Sequence, residues 1–171
     1  RHLVFFGTET TVGTSSTKDD MFIRFSDQEN IDSIDSYTVT AENTAGTQRL
    51  SDGSRIMGAI KGRDAIYIWT DTALFLMQFV GAPFTFSFQQ VGTNCGLIGK
   101  NACIEVDGKA YWMSENGFFT YDGQLKSLPC LVEDFVYDNL NSTSRDLINA
   151  GLNNLFGEIS WFYCSSASNT V

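Results

Sequence analysis

Short apolar runs broken by turn residues dominate the chain, and the clearest of them lie between residues 102 and 128. Tyr111-Trp112-Met113 and Phe118-Phe119-Thr120-Tyr121 are rich in aromatics, which suit a half-buried pleated surface. Between them stands Ser114-Glu115-Asn116-Gly117. Its Asn-Gly pair is what a two-residue hairpin turn favours, because both positions tolerate positive φ. Asp107-Gly108 separates 102–106 from 109–113 in the same way, and Asp122-Gly123 separates 118–121 from 125–128. The pattern predicts four short antiparallel strands joined by tight turns. Further strands are expected at 54–60 and at 84–91, where Phe84, Phe86 and Phe88 alternate. Helical spacing is scarce. Residues 133–140, apolar at 135, 136 and 140, predict one short helix, and 147–152 suggest a brief second one. The stretch 26–48, rich in Asp, Ser, Asn and Thr, reads as a long connection with room for a strand around Tyr37-Thr38-Val39.

The same pattern returns along the chain. Ile66-Tyr67-Ile68-Trp69-Thr70-Asp71-Thr72-Ala73-Leu74-Phe75-Leu76 aligns without gaps on residues 110–120 at an offset of 44. A shift of 44 the other way places Ile23-Arg24-Phe25-Ser26-Asp27 on 67–71, and a forward shift of 50 places Trp161-Phe162-Tyr163-Cys164-Ser165 on 111–115. A period near 44 is the size of a four-stranded propeller blade. The expected fold is therefore all-β: a β-propeller-like array of four-stranded antiparallel blades with one short helix. It forms a single region over 1–171, with units near 22–65, 66–109, 110–159 and a partial 160–171. The apolar opening Leu3-Val4-Phe5-Phe6 without a preceding Met, and the uncharged finish, read as a piece of a longer polypeptide.

Composition narrows the function classes. The 171 residues are 43% hydrophobic and 18% charged, too apolar for a disordered chain. The longest apolar-rich stretch, 65–88, is interrupted by Thr70, Asp71, Thr72, Gln78 and Pro83, so no membrane-spanning segment is expected. A net charge of −9 argues against gripping nucleic-acid backbone, which needs clustered Lys and Arg.

No motif carries chemistry by its spacing. Cys95, Cys103, Cys130 and Cys164 lie 8, 27 and 34 residues apart without a CxxC pair, and read as buried reduced thiols; a disulfide is the alternative. The acids Asp19, Asp20, Asp27, Glu29, Asp32 and Asp35 lack the Gly and Glu of a calcium loop, so a solvated connection is expected there. Residues 92–101, with Gly92, Gly96 and Gly99, miss the phosphate-loop spacing and read as a loop between blades. Ser114-Glu115-Asn116-Gly117 with Tyr121 resembles the structural turn of sialidase-type propellers. With His2 the sole histidine, a Ser/His/Asp triad would have to use it. Phe22, Phe25, Tyr67, Trp69, Tyr111, Trp112, Trp161 and Phe162 recur at one position of the repeat, which reads as core packing and not as sugar platforms. Asn141-Ser142-Thr143 matches a glycosylation sequon without a visible secretory signal. No catalytic, cofactor or metal residue is assigned.

Several runs in order resemble a known family. Residues 22–30, Ala45-Gly46-Thr47-Gln48-Arg49-Leu50-Ser51-Asp52-Gly53, Trp69-Thr70-Asp71-Thr72-Ala73-Leu74, 81–86, Tyr111-Trp112-Met113, Tyr121-Asp122-Gly123 and 158–163 look like the tail nozzle, or tail-hub stabilisation, proteins of short-tailed double-stranded DNA bacteriophages. The likeness extends from Val4 to Tyr163. It implies a non-enzymatic virion tail protein, assembled in the host cytoplasm into a homo-oligomeric ring, typically of six copies. Portal-side adaptor proteins above and fibres or spikes alongside are the implied partners, with genomic DNA passing through without specific binding. The alternatives are a carbohydrate-binding or glycosidase-type propeller, and a cellular scaffold propeller.

Overall fold

The computed structural model describes residues 1–170 and is mostly β, built from four antiparallel sheets that follow one another along the chain. The first sheet has the order β1 (Val4–Phe6), β2 (Phe22–Phe25), β3 (Gly46–Arg49). The second runs β4 (Ile56–Lys61), β5 (Ile66–Thr70), β6 (Ala73–Gly81), β7 (Thr85–Thr93), and the third β8 (Cys103–Val106), β9 (Lys109–Ser114), β10 (Gly117–Tyr121), β11 (Leu125–Leu128). A short helix α1 (Glu133–Asp138) precedes the two-stranded fourth sheet, β12 (Asn149–Asn153) and β13 (Glu158–Phe162).

Alternation along β5 and β6 fixes how the sheets stack. Tyr67, Trp69, Leu74 and Leu76 enter a core shared with the third sheet, while Ile68, Ala73, Phe75 and Met77 enter one shared with Ile23 and Phe25 of the first. The second sheet is thus buried on both faces, which is why its two central strands read as nearly continuous apolar runs. The third sheet alternates likewise. Trp112 meets Trp69 at 5.4 Å between ring centroids, and Phe118 on the opposite face meets Trp161 of β13 at 5.1 Å. The first and fourth sheets share no core cluster, so the four stand in a row. At one end of the row the Arg24 guanidinium donates to the carbonyls of Tyr37, Glu9 and Thr10 and pulls the loops over the first sheet. At the other end the outer face of the fourth sheet is polar (Asn149, Asn153, Glu158 and Ser160), with Phe162 the exception.

The offset of 44 is a structural equivalence. Thr70 and Ser114 both close a hairpin with an accepting hydroxyl: the Thr72 N–H donates to Thr70 Oγ1 at 3.2 Å and the Asn116 N–H to Ser114 Oγ at 3.5 Å. The β12–β13 hairpin answers to β8–β9, so the fourth sheet is the first half of such a unit. The sheets themselves span 4–49, 56–93, 103–128 and 149–162, so they begin earlier than the unit boundaries drawn at 22, 66 and 110.

Local details correct four expectations. Asp107 (φ 52) and Gly108 (φ 83) form the expected two-residue turn. At the next hairpin Ser114 pairs with Gly117, so Glu115 and Asn116 are the central residues, neither has positive φ, and only Gly117 does (φ 122). Tyr121 pairs with Leu125, which makes the third loop three residues long. Residues 147–152 are not a helix: a 3₁₀ turn ends at Leu147, and Ala150 and Gly151 pair with Trp161 and Ser160 of β13. Their apolar spacing fits a helix, but cross-strand pairing overrides it. Tyr37 ends a 3₁₀ turn (Ile34–Tyr37), and no strand forms at 37–39. The strands expected at 54–60 and 84–91 appear as β4 and β7, and α1 lies inside 133–140.

β6 and β7 outgrow their neighbours. Each has nine residues against five in β5, whose pairing stops at Met77, so Gln78–Gly81 and Thr85–Ser87 project as a two-stranded arm. Phe86 anchors the arm to the first sheet, 4.9 Å from Phe25 and 5.2 Å from His2, and Thr85 Oγ1 donates to the Thr44 carbonyl at 3.0 Å. Phe79, Val80 and Phe84 remain 63%, 53% and 76% exposed.

Candidate functional site

Two clefts open at opposite ends of the seam between the second and third sheets. The first, about 390 Å³, lies where the β4–β5, β8–β9 and β10–β11 turns gather. Its floor is Tyr67 and Tyr121, packed edge to face at 5.9 Å and less than a tenth exposed. The Tyr67 hydroxyl donates weakly to the Gly108 carbonyl at 3.5 Å. Burial, and then Tyr121, Glu105 and Asp64, push the Tyr67 phenol up; burial and Asp122 do the same to Tyr121. Both hydroxyls therefore stay protonated and able to donate. On the rim, a hydrogen bond from Lys126, at 2.8 Å from Asp122 Oδ2, holds the Asp122 carboxyl below its usual range.

The second cleft, about 270 Å³, is lined by Asp71 and Glu115, the two acids that the repeat makes equivalent, with Arg55 and Arg145. A glycosidase pair needs one carboxylic acid held protonated. Burial raises the Asp71 carboxyl, but the Ser54 hydroxyl at 2.5 Å, the Ser54 N–H at 2.8 Å and the Arg55 N–H outweigh it and leave Asp71 lowered. Glu115 is tied to the Arg145 guanidinium. Both acids hold loops, and Asp71, with its carboxyl lowered, is not poised as a general acid.

Compared with family models and with curated proteins, the chain finds no match in either. The residues singled out by sequence must therefore be judged on geometry alone.

Most of them serve the fold. Residues 92–101 cross from the second sheet to the third against the β5–β6 turn, with the Cys95 N–H on the Thr72 carbonyl and the Leu97 N–H on the Thr70 carbonyl, each at 3.0 Å. A Cβ at Gly96 would fall on the Asp71 backbone and one at Gly99 on the Arg145 carbonyl, so the glycines answer to close chain approach and not to phosphate. Asp19 accepts from the Met21 N–H and from Arg49 Nε, and Asp27 from the N–H and hydroxyl of Thr44: the acidic stretch spends these two singly on turns. All four cysteines are free; burial pushes Cys95 up to about 11 and Cys103 up to about 12, which keeps those thiols protonated and inert. His2 donates through Nδ1 to the Ser26 carbonyl at 2.8 Å and packs among Phe25, Phe79 and Phe86. Asn141 caps the 3₁₀ turn (Ser142–Leu147) through Thr143, and its amide donates to the Ser168 carbonyl. Phe25, Tyr67, Trp69 and Trp112 are core residues, whereas Phe162 is 54% exposed. No described helix is long and apolar enough to cross a membrane.

Sequence reasoning missed the first cleft and the arm. The cleft draws on turns more than forty residues apart, and the one available signal for the arm was the excess length of the apolar run through 73–80.

The lowered carboxyls set a pH response. Asp19, Asp27, Asp71 and Asp122 all lie below their ordinary value of 3.8 when folded. Their contribution is therefore complete above that value and is lost as the pH falls through the folded values. Thermal unfolding followed from about pH 7 down to about pH 3 should show the midpoint drop on the acid side. Asp71→Asn should lower the neutral-pH midpoint and flatten that drop, and an unchanged acid limb in the variant would refute the role given to Asp71.

Proposed function

We propose that this chain is a structural segment of a phage tail nozzle, working by subunit packing without bond chemistry. In this reading the row of face-packed meanders is an arc of propeller-like wall, in a ring of identical chains around the DNA exit channel. The observation that carries it is where the exposed large apolar side chains sit. Eight of them gather on three projecting elements: the arm (Phe79, Val80 and Phe84), the start of α1 (Leu131, Val132 and Phe135) and the β12–β13 tip (Leu155 and Phe156); a further five, Leu3, Phe5, Ile31, Ile34 and Val39, lie on the first sheet and its loops. Apolar tips of this kind mark interaction sites. The arm belongs to the first half of the row and the other two to its far end, which suits a head-to-tail contact that closes into a ring. The runs quoted above from residue 22 to residue 163 point to the same family, and the charge of −9 suits a conduit that DNA must slide through.

Cryo-EM of the native particle tests the proposal: a symmetric ring of this chain at one capsid vertex is expected. In solution, native mass spectrometry should find oligomers of the wild type and mostly monomers of the double variant Phe79→Ser and Phe84→Ser, with the circular dichroism of the two alike. A monomeric wild type, together with no ring on the particle, would refute the reading.

A further inference from the structure

The fourth sheet is half a unit, and one of its two edges is bare. On the β12 side the Ala150 N–H donates to the Asn101 carbonyl at 2.9 Å, and Asn149 bridges Asn101. β13 pairs with β12 alone. Among the described residues no backbone bond leaves Glu158–Phe162 on the other side, the side on which β9 holds β10. Little guards this edge: it is five residues long, pairs in unbroken register, has no Lys or Pro, and carries one charge at its first residue, Glu158. Proteins blunt open edges with lysines, prolines or bulges, so an unguarded edge points to a strand that covers it.

The arm carries a matching edge. β5 stops pairing at Met77, so the β5 side of Gln78–Gly81 is bare as well, while the other side is closed by β7, with one bulge at Val80. The arm is a two-stranded hairpin, and two strands are what the fourth sheet lacks against the second and third. Their order also fits. β6 follows β5 as β10 follows β9, so the bare edge of β6 laid antiparallel on β13 repeats a pairing already made in both complete units. Residues 78–87 carry no charge, so even a chain of net charge −9 brings no repulsion with the arm. One molecule cannot join its own two edges: the arm is anchored to the first sheet, and the third sheet stands between it and the fourth.

We propose that the arm of one copy pairs with β13 of a second copy and completes its fourth sheet. The pairing rests on the nozzle reading for its occupant and deepens it by naming the contact between neighbours. Main-chain bonds along the two edges supply the affinity, as in other cases of strand addition. The overlap also brings Phe79 and Val80, 63% and 53% exposed, against a strand whose Phe162 is 54% exposed. The two edges are different surfaces, so every copy offers one of each and the contact runs head to tail.

The test uses the chain itself and two variants altered only at exposed positions. The arm variant carries Phe79→Ser and Phe84→Ser. The edge variant carries Ser160→Lys and Phe162→Lys, charges of the kind that keep sheet edges apart. Circular dichroism should match the wild type in both. Native mass spectrometry should find oligomers of the wild type and monomers of each variant alone. An equimolar mixture of the variants should give heterodimers that stop at two, because only one sound arm meets one sound edge. In the wild type, backbone hydrogen exchange at 78–81 and 158–162 should slow as oligomers form from dilute monomer. An edge variant that assembles like the wild type, or 158–162 unprotected in the oligomer, would overturn the pairing and leave the ring reading standing. A wild type that stays monomeric overturns the pairing too, and the ring is then decided on the particle.

Discussion

Trp112→Ala should cost about 3–5 kcal/mol and lower the thermal midpoint by roughly 6–20 °C, enough to threaten folding at growth temperature. Trp112 is fully buried, and its ring lies 5.4 Å from Trp69 and 5.8 Å from Phe119. Its indole N–H donates to the Cys95 carbonyl at 2.7 Å. Truncation therefore opens a cavity between the second and third sheets and orphans a buried carbonyl on the crossing loop, two separate penalties. Trp112→Phe loses the hydrogen bond but keeps part of the packing, so it should fall between the wild type and the alanine variant. Chemical denaturation read by far-ultraviolet circular dichroism gives both values. A loss under about 1 kcal/mol for Trp112→Ala would mean that the seam is not what joins the sheets.

Gly96→Ala should be comparably damaging, at about 3 kcal/mol or more, although it adds a single methyl group. The added Cβ would sit on the Asp71 carbonyl and the Thr72 nitrogen, all backbone atoms that no rotamer change can move aside. Relief requires the loop to lift, which breaks the two 3.0 Å bonds from Cys95 and Leu97 to the β5–β6 turn. Gly157→Ala is the matched control. It has φ 65 and nothing within 4 Å of the new Cβ, so only backbone strain of about 1–2 kcal/mol applies. Equal midpoints for the two variants would refute the close-approach explanation of the glycine-rich loop.

How much of this was legible depended on the range over which each signal acts. The third sheet could be read from Asp107-Gly108 and its neighbouring turns, because each hairpin is specified by residues adjacent in sequence. The equivalence of Thr70 with Ser114 was legible for the same reason. The first sheet was not: β1 and β3 reach β2 across long connections, and short strands such as 46–49, with little apolar content, carry no alternation to read. The first cleft was illegible for a third reason. Its residues are ordinary turn and strand-end polar groups, and only the face-to-face stacking of the second and third sheets brings Gln78, Asp107 and Tyr121 to one place. The unexpected strand at β12 shows local spacing losing to a partner, here β13, supplied from ten residues downstream.

Gln78 belongs to two neighbourhoods at once. It lines the first cleft, and it is also the root of the arm, where β6 leaves β5 behind and pairs only with β7 through Ser87. Two residues before it, Leu76 is pinned in the seam beside Tyr67 and Trp69. Mechanically the arm is a lever and the seam its fulcrum. A load taken up at Phe79 or Phe84 therefore has two routes, along β6 into the wall of the cleft and through Phe86 and Thr85 into the first sheet.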